Sequence, residues 1–178
     1  DPHPQLSKDN PNVYMSMGIT AENVAKKFNI SRKEQQDFAI SSHSKANLAR
    51  ESNLFDNEIV SITNNNEKIN KDGGIRPNTS HEILDGLKLA FDENGTVTAG
   101  TASPLTDGAS AVIVCEEEYA KKNNLNILAR IKSTAVVGCP PELMGLGPIN
   151  ASKKALKRAN LSISDIDIVE LNEAFASQ

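Results

Sequence analysis

Apolar residues recur at helical spacing in two neighbouring stretches near the start of the chain. Val24, Ala25 and Phe28 form one stripe that ends at Asn29, and Thr20, with Glu22 in the first turn, stands where a cap is expected. A second helix follows at once, because Ser31 and Glu34 have capping-box spacing and Phe38, Ser42, Ala46 and Ala49 recur every three to four residues until about Asn53. Residues 58–63 (EIVSIT) predict a strand, and residues 64–74 an exposed polar loop rich in Asn, Lys and Gly with no expected chemistry. Beyond it the pattern predicts a short helix over 82–89, strands over 111–115 and 129–137, an amphipathic helix over 149–160 and a closing strand over 165–171. That last strand would place Ile166, Ile168 and Val169 in a core, and Glu173 to Ala176 would open a helix from its carboxyl end. Strands and helices thus alternate in the later half, which is the order of a layered α/β fold.

Composition narrows the function without choosing it. Hydrophobic residues make up 38% and charged residues 24% of the 178 positions, an ordinary soluble balance. The net charge is −4, with 19 Lys and Arg scattered among 23 acids, so no dense basic field exists to hold nucleic acid. No apolar run approaches bilayer length, and the first ten residues, DPHPQLSKDN, lack the basic-then-apolar order of a secretion signal. Cys115 and Cys139 lie far apart with no CxxC pattern, which argues against a zinc site and for a reducing setting, with the cytoplasm as the expected location.

Two stretches carry candidate chemistry. Asn172 follows the expected closing strand directly, at the kind of strand end where open α/β folds bind ligands. A side-chain amide there can donate to a developing oxyanion; it can equally serve only to cap a following helix. The second stretch is residues 96–111 (TVTAGTASPLTDGASA), where Gly100, Ala102 and Ser103 leave room for a ligand chain against the backbone and Asp107-Gly108 reads as a turn. An ordinary tight connection between buried strands would use the same small residues.

Taken together, MGITAENVAKKFNISRKEQQDFAISSHSKA from Met17, AGTASPLTDGASA from Ala99, MGLGPINASKKAL from Met144 and the closing NEAFASQ stand in one order and spacing. In these the chain resembles the thiolases, of the acetyl-CoA acetyltransferase or 3-ketoacyl-CoA thiolase kind, over nearly all its length except residues 64–72. The resemblance implies a layered α-β-α-β-α fold. Residues 1–93 correspond to a loop domain over the active site, helical with a short strand, 94–124 to the end of the amino-terminal half, and 125–178 to the start of the carboxyl-terminal half. It also implies an internal fragment, since thiolases are about twice as long, and therefore unpaired strand edges.

The activity implied is reversible Claisen condensation of acetyl-CoA with an acyl-CoA, or thiolytic cleavage of a 3-ketoacyl-CoA, through an acyl-cysteine intermediate. Coenzyme A thioester is the substrate, no cofactor is covalently bound, no metal is needed, and the full-length protein is expected to be a homodimer or homotetramer with neither nucleic acid nor membrane as partner. The family's two catalytic cysteines and its histidine have no counterpart here; Cys115 is expected in the core, Cys139 in a loop, and His3, His43 and His81 match no catalytic motif. By resemblance Asn172 is the NEAF asparagine that orders a water on the thioester oxygen. Met144 lines the acyl pocket, Ala174 and Phe175 pack on the pantetheine arm, Ser103 bonds a pantetheine amide beside Ala99 and Ala102, and Arg76 sits near the CoA phosphates with Leu87 as its apolar neighbour. For Arg76 an ordinary surface charge is the competing reading. Thr101 stands in place of a common Asn, Ser16 in place of a His and Ile83 in place of a Ser, departures that lean toward a broader or degradative thiolase. A noncatalytic acyl-CoA-binding or lipid-transfer relative is the alternative, and a helical interaction module a third.

Overall fold

The computed structural model describes residues 2–178, in two compact units. The first holds the described residues up to Pro104 together with Pro140–Gly145 and Asn172–Gln178; the second holds Leu105–Cys139 and Leu146–Leu171.

In the first unit a short helix α1 (Pro4–Asp9), capped by the His3 side chain, leads to α2 (Met17–Phe28) and the long α3 (Arg32–Glu51). Helix α2 starts ahead of the expected cap. Ser16 is its N-cap, and Thr20 lies buried inside it, its hydroxyl donating to the Met17 carbonyl at 2.7 Å, the back-bond by which a mid-helix Thr satisfies itself. Asn29 closes α2 at φ 55°, and the Ile30 N–H returns to the Ala25 carbonyl at 2.8 Å, so the last turn is tied off in the left-handed manner that Asn tolerates. The capping box of α3 forms as its spacing predicts: Ser31 Oγ accepts from the Glu34 N–H at 3.2 Å and the Glu34 carboxylate accepts from the Ser31 N–H at 2.7 Å. That N–H, with the Ser31 hydroxyl, holds the Glu34 carboxyl below its usual range.

Residues 58–63 do not all form the expected strand. β1 is Ile62–Asn64, paired antiparallel with β2 (Glu67–Ile69) inside what the sequence suggests is loop, and Ile62 faces Ile69. Asn65 and Asn66 both take positive φ (49° and 67°), the turn geometry that matches strand twist and that Asn accepts without a glycine. Helix α4 (His81–Asp85) is shorter than the expected 82–89, because Leu89 leaves the helix to form a bridge with Thr98. Arg32 stabilises its end: one guanidinium nitrogen donates to the carbonyls of Leu84 (2.9 Å), Asp85 (3.1 Å) and Leu87 (2.8 Å), a cation placed on helix-end carbonyls.

The core of this unit is built around residues 96–98. Val97 and Thr98 are fully buried, with Ala21, Val24, Ala25, Ala39 and Leu84 also buried. One edge of this extended segment pairs with residues 89–90, where the Ala90 N–H donates to the Val97 carbonyl at 3.0 Å. Glu22 of α2 turns its carboxylate onto the N–H groups of Thr96 (2.9 Å) and Val97 (2.8 Å), and Gln35 of α3 donates to the Thr96 hydroxyl at 2.8 Å. Side chains thus supply the partners that buried backbone requires.

The second unit contains α5 (Glu117–Lys122) and α6 (Gly147–Ala159), the latter close to the expected 149–160 and closed by Asn160 at φ 54°. Its side chains hold an extended segment: Lys154 and Arg158 donate to the carbonyls of Val136 (3.0 Å) and Thr134 (2.5 Å), while the Ser133 hydroxyl donates to that of Ala155 (2.7 Å). The strands expected over 111–115, 129–137 and 165–171 are absent among the described residues. Their apolar side chains are correspondingly exposed, Ile113 by 87%, Val136 by 84% and Ile168 by 86%. A strand exists only where a neighbour completes its ladder, and none does so here. Cys115, expected in the core, is exposed for the same reason. No helix among the described residues is long and apolar enough to cross a membrane.

Candidate functional site

The two stretches singled out in the sequence meet in the first unit. The Ser103 N–H donates to the Ala174 carbonyl at 2.8 Å and the Ala176 N–H donates to the Thr101 carbonyl at 2.9 Å, with Ala102 opposite Phe175 in an antiparallel bridge. The helix expected to open at Glu173 is therefore not formed; residues 174–176 pair with 101–103 instead, and the helix that Asn172 would cap does not exist. Ser177 anchors this tail, donating from its buried hydroxyl to the Ala21 carbonyl of α2 at 3.0 Å.

Small residues make the pairing possible. Gly100 has no space for a side chain, since a Cβ there would lie 2.4 Å from Leu84 Cδ2 and 2.7 Å from Leu87 Cδ1. Thr101 builds the turn itself: its hydroxyl accepts from the Thr98 N–H at 3.0 Å and its own N–H donates to the Thr98 carbonyl at 3.0 Å. The Asn-to-Thr departure thus has a local structural role, as a buried hydroxyl that pins 98–101. Phe175 stands edge-on to Phe91, with ring centroids 5.9 Å apart and planes at 78°. Gly18 lies beneath Phe91, where a Cβ would come within 2.1 Å of the ring.

A cavity of about 180 Å³ opens beside the paired stretches. Arg76, Ala99, Ala102 and Ser103 line it, four of the residues singled out by resemblance. Leu87 lies behind it against Gly100, Ala174 and Phe175 form its backbone partner strand, and neither Asn172, which is exposed, nor Met144 is in its wall. Met144 sits in the 3-10 stretch Pro141–Leu146, next to Gly145, whose Cβ position is 3.5 Å from Val24 and from Gln178. Helix α3 contributes Phe38, Ser42 and His43, and the tail contributes Glu173; none of these was singled out in the sequence as a site residue. Ser42 donates a hydrogen bond to the Glu173 carboxylate, and His43 Nδ1 accepts from the Arg76 N–H at 3.2 Å. The signal available was their spacing, for 38, 39, 42 and 43 share one helical face whose second turn is polar. Chemically the cavity offers one guanidinium, one carboxylate, one imidazole and the three hydroxyls of Ser42, Thr101 and Ser103 around a floor of small side chains, a lining suited to a narrow polar chain ending in an anion.

The amino-terminal thiolase domain model matches residues 6–118 and the carboxyl-terminal thiolase domain model residues 125–178. A 3-ketoacyl-CoA thiolase of Serratia proteamaculans is 50% identical over 184 aligned residues, covering all of this chain and 48% of that protein. The human mitochondrial 3-ketoacyl-CoA thiolase solved in complex with CoA is 42% identical with a TM-score of 0.90, covering 97% of this chain and 44% of the solved one. The dimeric peroxisomal thiolase of Saccharomyces cerevisiae is 41% identical with a TM-score of 0.93, over 99% and 46% respectively. The chain spans about half the length of the curated relatives it matches, 48% in the first of them. Its backbone has the thiolase-like α/β fold of these solved proteins. With both domain models matched in order and half of the aligned residues identical, the chain belongs to the thiolase family.

Proposed function

We propose that this chain is the part of a thiolase-type acyltransferase that holds the CoA thioester, and that the whole protein cleaves 3-ketoacyl-CoA with free CoA, or runs the reverse condensation, through an acyl-cysteine. The observation that carries the proposal is the backbone pairing of 101–103 with 174–176, which joins the small-residue turn and the NEAF segment in one wall. On this reading the pantetheine arm lies along Ala99, Ala102 and Ser103, with Ala174 and Phe175 on its other side, and Arg76 with Leu87 receives the adenine and phosphate end. Met144 borders the acyl group, and the Asn172 amide serves the oxyanion from the open end of the NEAF segment. A boundary between the two thiolase halves near residue 124 is supported by the domain matches, which leave only 119–124 between them, and we propose that the loop domain is 1–93.

Coenzyme A is substrate, not a covalently bound cofactor, in this proposal. A homodimer is the proposed assembly, on the strength of the yeast relative described as dimeric, with a homotetramer as its extension. Two free cysteines support a reducing compartment, for which the cytoplasm is proposed. The test is a thiolysis assay of the full-length protein with 3-ketoacyl-CoA substrates of several acyl lengths. Consumption of the 3-ketoacyl thioester that depends on free CoA is expected; binding of acyl-CoA with no turnover at any length would leave a noncatalytic relative in its place.

A further inference from the structure

We infer that His43 is the positioning residue for Arg76, holding the backbone of that arginine so that its guanidinium faces the cavity. The inference rests on the role proposed above for Arg76 at the phosphate end of CoA. Arg76 belongs to a stretch without regular secondary structure between β2 and α4, so its placement depends on individual bonds. Its carbonyl is held locally, accepting from the Thr79 N–H at 3.2 Å and the Thr79 hydroxyl at 2.7 Å. Its N–H is held at long range by His43 Nδ1, 33 residues earlier on α3, at 3.2 Å. His43 is itself half-buried on the rigid helix that forms one wall of the cavity, with Phe38, Ala39 and Ser42 on the same face. The imidazole therefore transfers the rigidity of α3 to a loop that carries the cation.

Accepting from the Arg76 N–H calls for the imidazole tautomer that carries its proton on Nε2. The charged groups lining the cavity with His43 are Arg76 itself and, from the tail, Glu173, which is engaged by Ser42; Asp72, next along the loop, accepts from the N–H of the lining residue Gly74 at 2.8 Å. No other charged side chain of α3 lines the cavity among the described residues.

The experiment compares His43→Ala, His43→Asn and Arg76→Ala in the full-length protein at neutral pH. Asn carries its amide oxygen close to where Nδ1 sits, so it keeps the acceptor. His43→Ala is expected to weaken CoA binding by about three- to tenfold, the worth of one hydrogen bond, and His43→Asn to restore it. Binding of a pantetheine thioester that lacks the phosphates is expected to be unchanged in all three, which a general structural defect would not spare. Hydrogen exchange of the Arg76 amide at one neutral pH gives a second readout without ligand: slow in the wild type and in His43→Asn, and faster in His43→Ala. If Arg76→Ala leaves CoA affinity intact, the proposed role of Arg76 fails, while the Arg76 amide still decides whether His43 holds it. If Arg76→Ala weakens CoA but His43→Ala does not, or if His43→Asn behaves as the Ala variant, the positioning role is overturned.

Discussion

Replacing Asn172 by Ala in the full-length protein is expected to lower kcat/KM by about a hundredfold or more, close to 3 kcal/mol of transition-state stabilisation, the usual loss when one preorganised oxyanion donor is removed. The same substitution should leave unfolding free energy within about 0.5 kcal/mol, because the Asn172 side chain is exposed and residues 174–176 pair with 101–103 rather than forming a helix for it to cap. The contrast between the two readouts separates the competing roles of this amide. A capping or packing role would register in stability, whereas an oxyanion role registers in turnover alone. Steady-state thiolysis and urea unfolding of the same variant measure both, and a variant with unchanged kcat/KM removes Asn172 from the chemistry.

Glu22→Ala is expected to be the most destabilising single change in the first unit. The Glu22 carboxylate is 7% exposed and is the acceptor for the N–H groups of Thr96 and Val97, the latter residue fully buried. Truncation leaves the buried Val97 donor and the half-buried Thr96 donor without partners, at about 1–3 kcal/mol for each, so a loss of about 2–6 kcal/mol is expected from a total of roughly 5–15. Glu22→Gln keeps one acceptor oxygen and should lose less. Denaturant midpoints with unchanged slope check the free energies. Hydrogen exchange at Val97 locates the damage, and a Glu22→Ala variant as stable as wild type would mean that 96–98 is not held from α2. Because this segment leads directly into the turn at 98–101, its loosening should also weaken CoA binding in the same variant.

How much of this was legible in the sequence divides by the range of the interaction involved. Local signals were read correctly where the partners are neighbours in the chain: the Ser31–Glu34 box, the two Asn-capped helix ends and helix α6 all depend on residues within one turn of each other. Apolar and β-branched residues at 111–115, 129–137 and 165–171 state a preference for extended backbone, but a strand also needs a neighbour, and none lies beside them among the described residues. The tail misled for a similar reason. Glu173, Ala174 and Ala176 favour a helix by themselves, yet Ala174 and Ala176 exchange bonds with residues more than 70 positions earlier, and that tertiary pairing overrides propensity.

The site was legible as motifs but not as a surface. Arg76, Ala99, Ala102 and Ser103 were singled out and share one cavity, whereas Ser42 and His43 share a helical face by spacing but reach Glu173 and Arg76 only through long-range contacts. Glu22 was noted only as a first-turn acid, since nothing in α2 announces that its carboxylate accepts from the backbone of 96–97.

A structure of the full-length protein with CoA bound measures the central claim most directly. The account predicts the pantetheine arm lying along Ala102 and Ser103 with Phe175 against it and the phosphate end at Arg76. CoA seated away from both 99–103 and 174–176 would contradict it.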